Sequence, residues 1–298
     1  MKVLITGATG FIGSELTQRL LDQNDQVVVL TRDADKARKQ LGSRPEVITS
    51  LETYTGDIDA VVNLAGAAIA DERWSDERKA VLMQSRLETT QAVVDWCEAY
   101  PQQVKCFISG SAIGYYGSSL SDDKLTEDDG HGKGFASDLC VQWEAVAQRA
   151  EDFVERLCII RTGVVLGEGG ALKKMLPAFR MGFGGPISPG SQWMSWISLN
   201  DEVRAILHLL NTKTSSGVYN LTAPRPVTNV HFTKVLAASL HRPAFFSMPS
   251  LAAWFMLGEG EELLTKGQRV MPERLLAEGF EFECDHIDYA FVQFQAAA

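Results

Sequence analysis

Lys2-Val3-Leu4-Ile5-Thr6-Gly7-Ala8-Thr9-Gly10-Phe11-Ile12-Gly13 opens the chain, and its reading decides the fold. Val3-Leu4-Ile5 is a short unbroken apolar run, the pattern of a strand buried on both faces. Three glycines follow at three-residue spacing, and Ser14 to Leu21 then reads as a helix with Leu16, Leu20 and Leu21 on one stripe. Strand, glycine turn and helix, in that order, are the context of a dinucleotide site. A tight turn, a close approach of backbone to a pyrophosphate and a close helix–strand packing each need a residue without a side chain. The helix N-terminus then offers unpaired N–H groups to the phosphates. Gly7, Thr9, Gly10, Phe11, Ile12 and Gly13 are the expected cofactor contacts.

Working outward, Gln26-Val27-Val28-Val29-Leu30 is a second buried strand, which makes the first unit β-α-β. The residues at its end select the dinucleotide. An acid there binds the ribose 2′-hydroxyl of NAD, and an arginine suits the 2′-phosphate of NADP. Here Thr31 and Arg32 occupy that position and Asp33 follows. A guanidinium forks onto phosphate oxygens that an acid would repel. NADP(H) is therefore the expected cofactor. Arg32 as a surface residue opening a helix, and Asp33 swinging in for NAD, remain the alternatives. A polar helix is expected over Ala34 to Leu41 and a weak strand at Val47-Ile48, with adenine contacts from Ser50-Leu51. Ile58 to Gly66 reads as a strand running into a small-residue turn.

The turn is Gly-x-x-Gly-x-x-Gly with Thr6 before it and Phe11-Ile12 between its last two glycines. In this it resembles the extended short-chain dehydrogenase/reductase family, which includes nucleotide-sugar epimerases, dehydratases and reductases. The resemblance implies a Rossmann-type α/β fold, a doubly wound parallel sheet with a smaller C-terminal substrate lobe. It also implies that Leu64, Ala65 and Gly66, matching an Asn-x-Ala-Gly segment, pass under the cofactor, where large side chains would collide. Val104 to Ile108 is the next strand. The loop expected after it, Ser109-Gly110-Ser111-Ala112-Ile113-Gly114-Tyr115-Tyr116-Gly117, resembles the family's Ser-Ser-Ala-x-x-Tyr-Gly with one extra residue. On that match Ser111 holds the catalytic-serine position and Ser109 is second. The alternative is a tight turn of small residues. Leu125-Thr126-Glu127 matches the family's Thr-Glu before the active-site helix.

The family's Tyr-x-x-x-Lys is missing. In that pair the tyrosine passes a proton and the lysine lowers its pKa. None of the six tyrosines has a lysine four residues on, and alignment through Glu144 puts Ala136 and Cys140 at the two positions. Tyr115 and Tyr116, on the loop of Ser111, are the nearest phenols, and Cys140 or Asp138 is a weaker substitute. Arg161, in a strand from Cys158, matches Arg-x-x-x-Val-x-Gly and is expected to tie the active-site loops together. Asp201 is expected to cap a helix over Glu202 to Leu210. Trp74 reads as a core or lid aromatic, and Trp193 and Trp196 either line the pocket or pack the lobe. The pairs Arg73-Trp74 and Ser85-Arg86, Tyr115-Tyr116-Gly117 and the pattern from Pro249 to Phe282 resemble a smaller branch. Its members are bacterial and mitochondrial epimerase-family proteins of undefined substrate with a small appended domain.

Domains are expected over 1–166 for the dinucleotide, with 199–230 returning to it, and over 167–298 for the substrate lobe and appended helical segment. The 298 residues are 45% hydrophobic and 22% charged, enough apolar chain for a large core. A net charge of −10 disfavours nucleic acid and anionic membranes as partners. Five scattered cysteines without metal-ligand spacing suggest free thiols in a reducing compartment. With the first strand at residue 2 and no apolar run long enough to span a bilayer, the cytoplasm is the expected location. No metal cluster is expected, and the family resemblance implies a homodimer. Two functions stay open. One is an NADP(H)-dependent oxidoreductase or epimerase acting on a small hydroxyl or carbonyl compound, free or nucleotide-linked. The other is a non-catalytic NADPH-binding sensor or regulatory module.

Overall fold

Seven strands form one all-parallel sheet in the computed structural model of the chain, which describes residues 1–52, 54–100 and 102–296. Four positions of the expected domains (53, 101, 297 and 298) lie outside the described residues. The strands are β1 (Lys2–Thr6), β2 (Gln26–Leu30), β3 (Glu46–Ile48), β4 (Ala60–Asn63), β5 (Cys106–Ala112), β6 (Leu157–Thr162) and β7 (Gly217–Leu221). Their order is β3-β2-β1-β4-β5-β6-β7, so the winding reverses between β1 and β4. A crevice opens at that reversal, outside the carboxyl ends of the strands.

Helices cover both faces, which is why the strands read as continuous apolar runs. On one face α1 (Phe11–Asp22) and α6 (Leu199–Asn211) bury Leu16, Leu20, Val203 and Ile206 against Val3, Ile5, Val29 and Ile160. On the other, α3 (Asp76–Ala99) buries Val93, Val94 and Cys97 against Leu4, Val28, Val61 and Phe107, with Ala147 of α4 (Phe135–Gln148) beside them. The helix α2 (Ala34–Leu41) occurs as expected.

Several boundaries differ from the sequence reading. The first helix begins at Phe11 rather than Ser14, with Gly10 in an extended conformation as its N-cap. The α3 helix starts at Asp76, ahead of the Ser85-Arg86 pair. Ser75 caps it by accepting from Arg78 N–H, and Asp76 and Glu77 complement the dipole of the first turn. Residues 76–86 are charged or polar apart from the single run Ala80-Val81-Leu82-Met83, which shows no repeat at helical spacing, so periodicity does not announce that part. Strand β5 runs on through Ser109, Gly110 and Ser111 to Ala112. These residues pair with β6 and, at Ser109, also with β4, and two-sided pairing overrides a composition that suggests a turn.

The lobe has its own core. Leu172, Leu176 and Phe179 of α5 (Gly170–Arg180) and Phe232 and Leu236 of α7 (Asn229–Ser239) pack with Trp196, Ile287 and Phe291. The C-terminal stretch does not stay within the lobe. Arg269–Val270 pairs with Lys124–Leu125, and Leu275 and Phe280 enter the core beneath β7. Arg274 donates to the carbonyls of Val218 and Ser216. Asp201 does not cap α6; Ser198 does. Asp201 is fully buried and accepts the N–H groups of Glu283 and Cys284, tying the chain's end to the start of the helix. Among the described residues no helix is long and apolar enough to cross a membrane.

Candidate cofactor and active site

The glycine turn sits at the crevice. Gly7 has φ +72°, and a Cβ there would lie 2.7 Å from the Leu64 carbonyl, so this glycine lets β1 and the chain leaving β4 approach. A Cβ on Gly13 would collide with the Gly7 carbonyl, which fixes the close helix–strand packing. Gly10 is exposed, and the start of α1 has neither a side-chain cap nor an acid in its first turn. Its leading N–H groups therefore face the crevice free of any competing side-chain acceptor, the condition for receiving phosphate oxygens. Phe11 turns the other way. Its ring fills the space above Gly167, Gly169 and Gly170, where side chains would strike it, and so fastens the turn to the lobe. Ile12 packs on the core, and the Thr9 carbonyl accepts from Gln40.

At the end of β2, Arg32 is exposed and pairs with no carboxylate among the described residues, while Thr31 is half-buried. Asp33 caps the helix Ala34–Leu41 by accepting from Lys36 N–H at 2.9 Å, an engagement that holds it away from the crevice. A cavity of about 620 Å³ opens beside the ends of β2 and β3, lined by Leu30, Ser50, Leu51, Tyr54, Trp96 and Tyr100.

The end of β4 is held by a buried polar chain. Thr6 donates to Asn63 at 2.6 Å, Asn63 donates to Thr90 at 2.8 Å, and the Trp143 indole N–H donates to the same Thr90 at 2.8 Å. Thr6 also accepts the Ala65 N–H, and Ser85 accepts the Ala67 N–H. Leu64 and Ala65 thus pass directly over the glycine turn. Gly66 is exposed, and what its missing side chain spares within the protein is Arg86, whose guanidinium carbon would lie 3.1 Å from a Cβ there.

The candidate catalytic residues lead into a buried ionic cluster. Ser111 donates to Glu144 at 2.6 Å. Arg161 forks onto both oxygens of Glu144 at 2.9 Å each and donates to the Tyr116 hydroxyl at 2.9 Å. Tyr116 in turn donates to Asn220 at 2.7 Å, and Asn220 gives its backbone N–H to Glu127. Burial raises Tyr116 to about 12, against the opposing pull of Arg161, and burial also raises Glu127. The structure therefore gives the sequence's two phenols different fates. Tyr116 is locked in a structural network. Tyr115 is half-buried with its hydroxyl unpartnered among the described residues, and its ring centroid lies 3.4 Å from the Arg161 guanidinium carbon. Arg161 ties the loops as expected.

Ala136 and Cys140 lie beside Gly114, both buried, and burial pushes the Cys140 thiol up to about 11. Trp74 is core, packed on Phe135 edge to face, and Trp196 packs the lobe, while Trp193 donates to Asp122. Sequence reasoning did not foresee Asn220, and used Glu144 only as an alignment anchor. Both are far in sequence from Ser111 and carry no local signal. No group of three or more His, Cys, Asp or Glu among the described residues is placed to hold a metal.

A profile of the NAD dependent epimerase/dehydratase family matches residues 3–222, and a domain of unknown function (DUF1731) matches residues 248–294. The chain is 39% identical over 296 residues to the Arabidopsis thaliana epimerase family protein SDR39U1 homolog, chloroplastic, covering 96% of this chain and 84% of that one. It is 40% identical over 294 residues to the Mycobacterium bovis epimerase family protein Mb2239, covering 97% and 95%. Among solved structures, the human epimerase family protein SDR39U1, crystallised with NADPH, superposes with a TM-score of 0.92 at 34% identity over all of both chains. The UDP-glucuronic acid 4-epimerase of Bacillus cereus shares the fold, with a TM-score of 0.78 at 18% identity.

Proposed function

The chain belongs to the NAD-dependent epimerase/dehydratase family, and from that premise we propose that it is an NADP(H)-dependent oxidoreductase or epimerase of a small hydroxyl or carbonyl compound, free or nucleotide-linked. The observation that carries the reading is the uncapped, acid-free start of α1 under an exposed Gly10, one strand away from an Arg32 that no carboxylate among the described residues engages. The N–H groups of α1 hold the pyrophosphate, Arg32 holds the 2′-phosphate, and Ser50 and Leu51 border the space for adenine. That the human relative was crystallised with NADPH supports the same choice here. When bound, the dinucleotide supplies or accepts hydride at its nicotinamide.

Ser111 holds the substrate oxygen. Its hydroxyl hydrogen is committed to Glu144, so its free lone pairs accept a hydrogen bond from a substrate hydroxyl. Tyr115, whose hydroxyl has no hydrogen-bond partner among the described residues, handles the proton. A second reading, an NADPH-occupancy sensor, is favoured by Ala136 and Cys140 at the usual proton-relay positions.

The test is to mix the protein with NADPH or NADP and a panel of aldehydes, ketones, alcohols and nucleotide sugars, following nicotinamide absorbance and, for epimers, product by NMR. Turnover that falls about 100-fold or more in Tyr115→Phe, at unchanged NADPH affinity, supports the enzyme with that phenol. Binding without turnover across the panel supports the sensor, and no binding of either coenzyme refutes both.

A further inference from the structure

The net charge of −10 is unevenly laid out. Residues 169–258 carry eight lysines and arginines but only two acids, Asp201 and Glu202, and both of those are buried. The chain therefore divides into +6 over this stretch, most of the lobe, and −16 over the rest. A negative total argues against an anionic partner only where the charge is evenly mixed. On the lobe it is not.

The same stretch holds every phenylalanine and tryptophan that stands exposed among the described side chains: Phe183, Phe245, Phe246, Trp254 and Phe255. Phe245 is 84% exposed and Phe255 65%. Backbone contacts hold these residues in place. Arg180-Met181-Gly182-Phe183, at the end of α5, lies beside Arg242-Pro243-Ala244-Phe245-Phe246, with Gly182 against Pro243 and the Phe183 and Phe246 rings 5.7 Å apart. Met248 then donates to the Pro186 carbonyl and accepts from Ser188 N–H, which fixes where α8 (Ser250–Leu257) begins. That helix is Ser-Leu-Ala-Ala-Trp-Phe-Met-Leu, apolar nearly all round, the pattern of a helix covered on every side. Yet only Ala253 and Leu257 are buried.

Cations border the exposed rings. Arg180 and Arg242 are exposed and pair with no carboxylate among the described residues. Arg73 stacks on Trp254, its guanidinium carbon 4.6 Å from the ring centroid. Asp71, Glu72 and Glu259, which flank Arg73 and α8, are already paired with Lys174, Arg78 and Lys79. Exposed apolar rings in a group mark a contact surface, and the charge around them says what kind. A second copy of the chain is a poor match, because two such faces bring like charges together. An anionic bilayer matches both features. It takes Phe, Trp and Leu into the boundary between headgroups and acyl chains, and its phosphates draw arginine.

We propose that this face of the lobe, the tip at Phe183 and Phe245-Phe246 together with the exposed side of α8, docks on an anionic lipid surface. Arg180 and Arg242 meet the lipid phosphates while the aromatic rings enter the headgroup boundary. The proposal is independent of the NADP(H) reading. Docking needs no coenzyme, and failure of either leaves the other standing.

The test floats the full chain with vesicles of phosphatidylcholine alone and of phosphatidylcholine mixed with phosphatidylglycerol, in low and in high salt. Wild type is expected to bind the mixed vesicles at least about 10-fold more tightly than the neutral ones, and to lose that preference in high salt. Arg180→Gln with Arg242→Gln should weaken binding to the mixed vesicles about 10- to 30-fold, from roughly fivefold per cation. Phe245→Ser with Phe255→Ser, at sites exposed enough to leave thermal melts unchanged, should weaken it roughly 10- to 100-fold. Wild type that binds neither vesicle, or both alike, overturns the proposal. So does binding that either folded double variant leaves unchanged. The wild-type comparison of lipids and salt decides the matter should a variant fail to fold. Sedimentation velocity runs alongside. A wild-type dimer that Phe245→Ser with Phe255→Ser dissociates, in a protein that ignores vesicles, gives the face to a second copy and overturns the lipid assignment.

Discussion

Replacing Glu202 by glutamine should stabilise the protein, and increasingly so as pH rises. Glu202 lies in the first turn of α6 and is fully buried. One carboxyl oxygen accepts from Thr162 at 2.8 Å, and the other has no partner among the described residues. Burial pushes its pKa from 4.5 up to about 8. The folded protein therefore keeps this proton over a range in which the unfolded chain has lost it. Stability from this group is fully present below the unfolded value and declines as pH climbs toward the folded one. At pH 7 the interval already crossed is about 2.5 units, or on the order of 3 kcal/mol at about 1.36 kcal/mol per unit. Glutamine keeps the shape and the acceptor for Thr162 but cannot ionise. Urea melts of both proteins from pH 5 to pH 8 should show a small difference at the acid end, widening by about 3–4 kcal/mol in favour of Glu202→Gln at the other. A difference that does not change with pH, or a glutamine variant less stable than wild type at pH 8, would refute the reasoning.

Glu144→Gln should cost about 3–5 kcal/mol, because it leaves the buried Arg161 without its counter-charge and withdraws an acceptor from the fork. Denaturant melts check this, and a loss below about 1 kcal/mol would contradict a paired, desolvated cluster. Gly10→Val should fold normally yet abolish dinucleotide binding, since its side chain would stand in the exposed crevice over α1. Gly13→Val should instead unfold or strongly destabilise the chain by striking the Gly7 carbonyl. The two variants behaving alike in melts would contradict the separate roles given to these glycines.

The parallel sheet was legible from its first strand because burial on both faces leaves a short apolar run and the glycine spacing has one physical use. Strand ends and helix starts were not. Ser109-Gly110-Ser111 has turn-like composition and becomes strand only through its neighbours β4 and β6. The first turn of α3, Asp76 to Lys79, is charged and held by a cap. Leu275 and Phe280 reach the core of the dinucleotide face from the far end of the sequence, where nothing local shows which domain they serve. The same limit applies to the site. Gly7, Gly10 and Gly13 act next to one another and can be read in one line. Ser111, Glu144, Arg161, Tyr116 and Asn220 meet only after three strands and a helix are assembled. Motif matching placed Tyr115 and Tyr116 as equals, and only hydrogen bonding separates them.

Calorimetric titration of wild type and Arg32→Glu with NADPH and with NADH bears most directly on the whole reading. The account predicts that wild type prefers NADPH, and that Arg32→Glu loses roughly 10- to 100-fold for NADPH with little change for NADH, the loss of a guanidinium–phosphate contact. Equal affinities in wild type, an equal loss for both coenzymes, or no binding of either would contradict it.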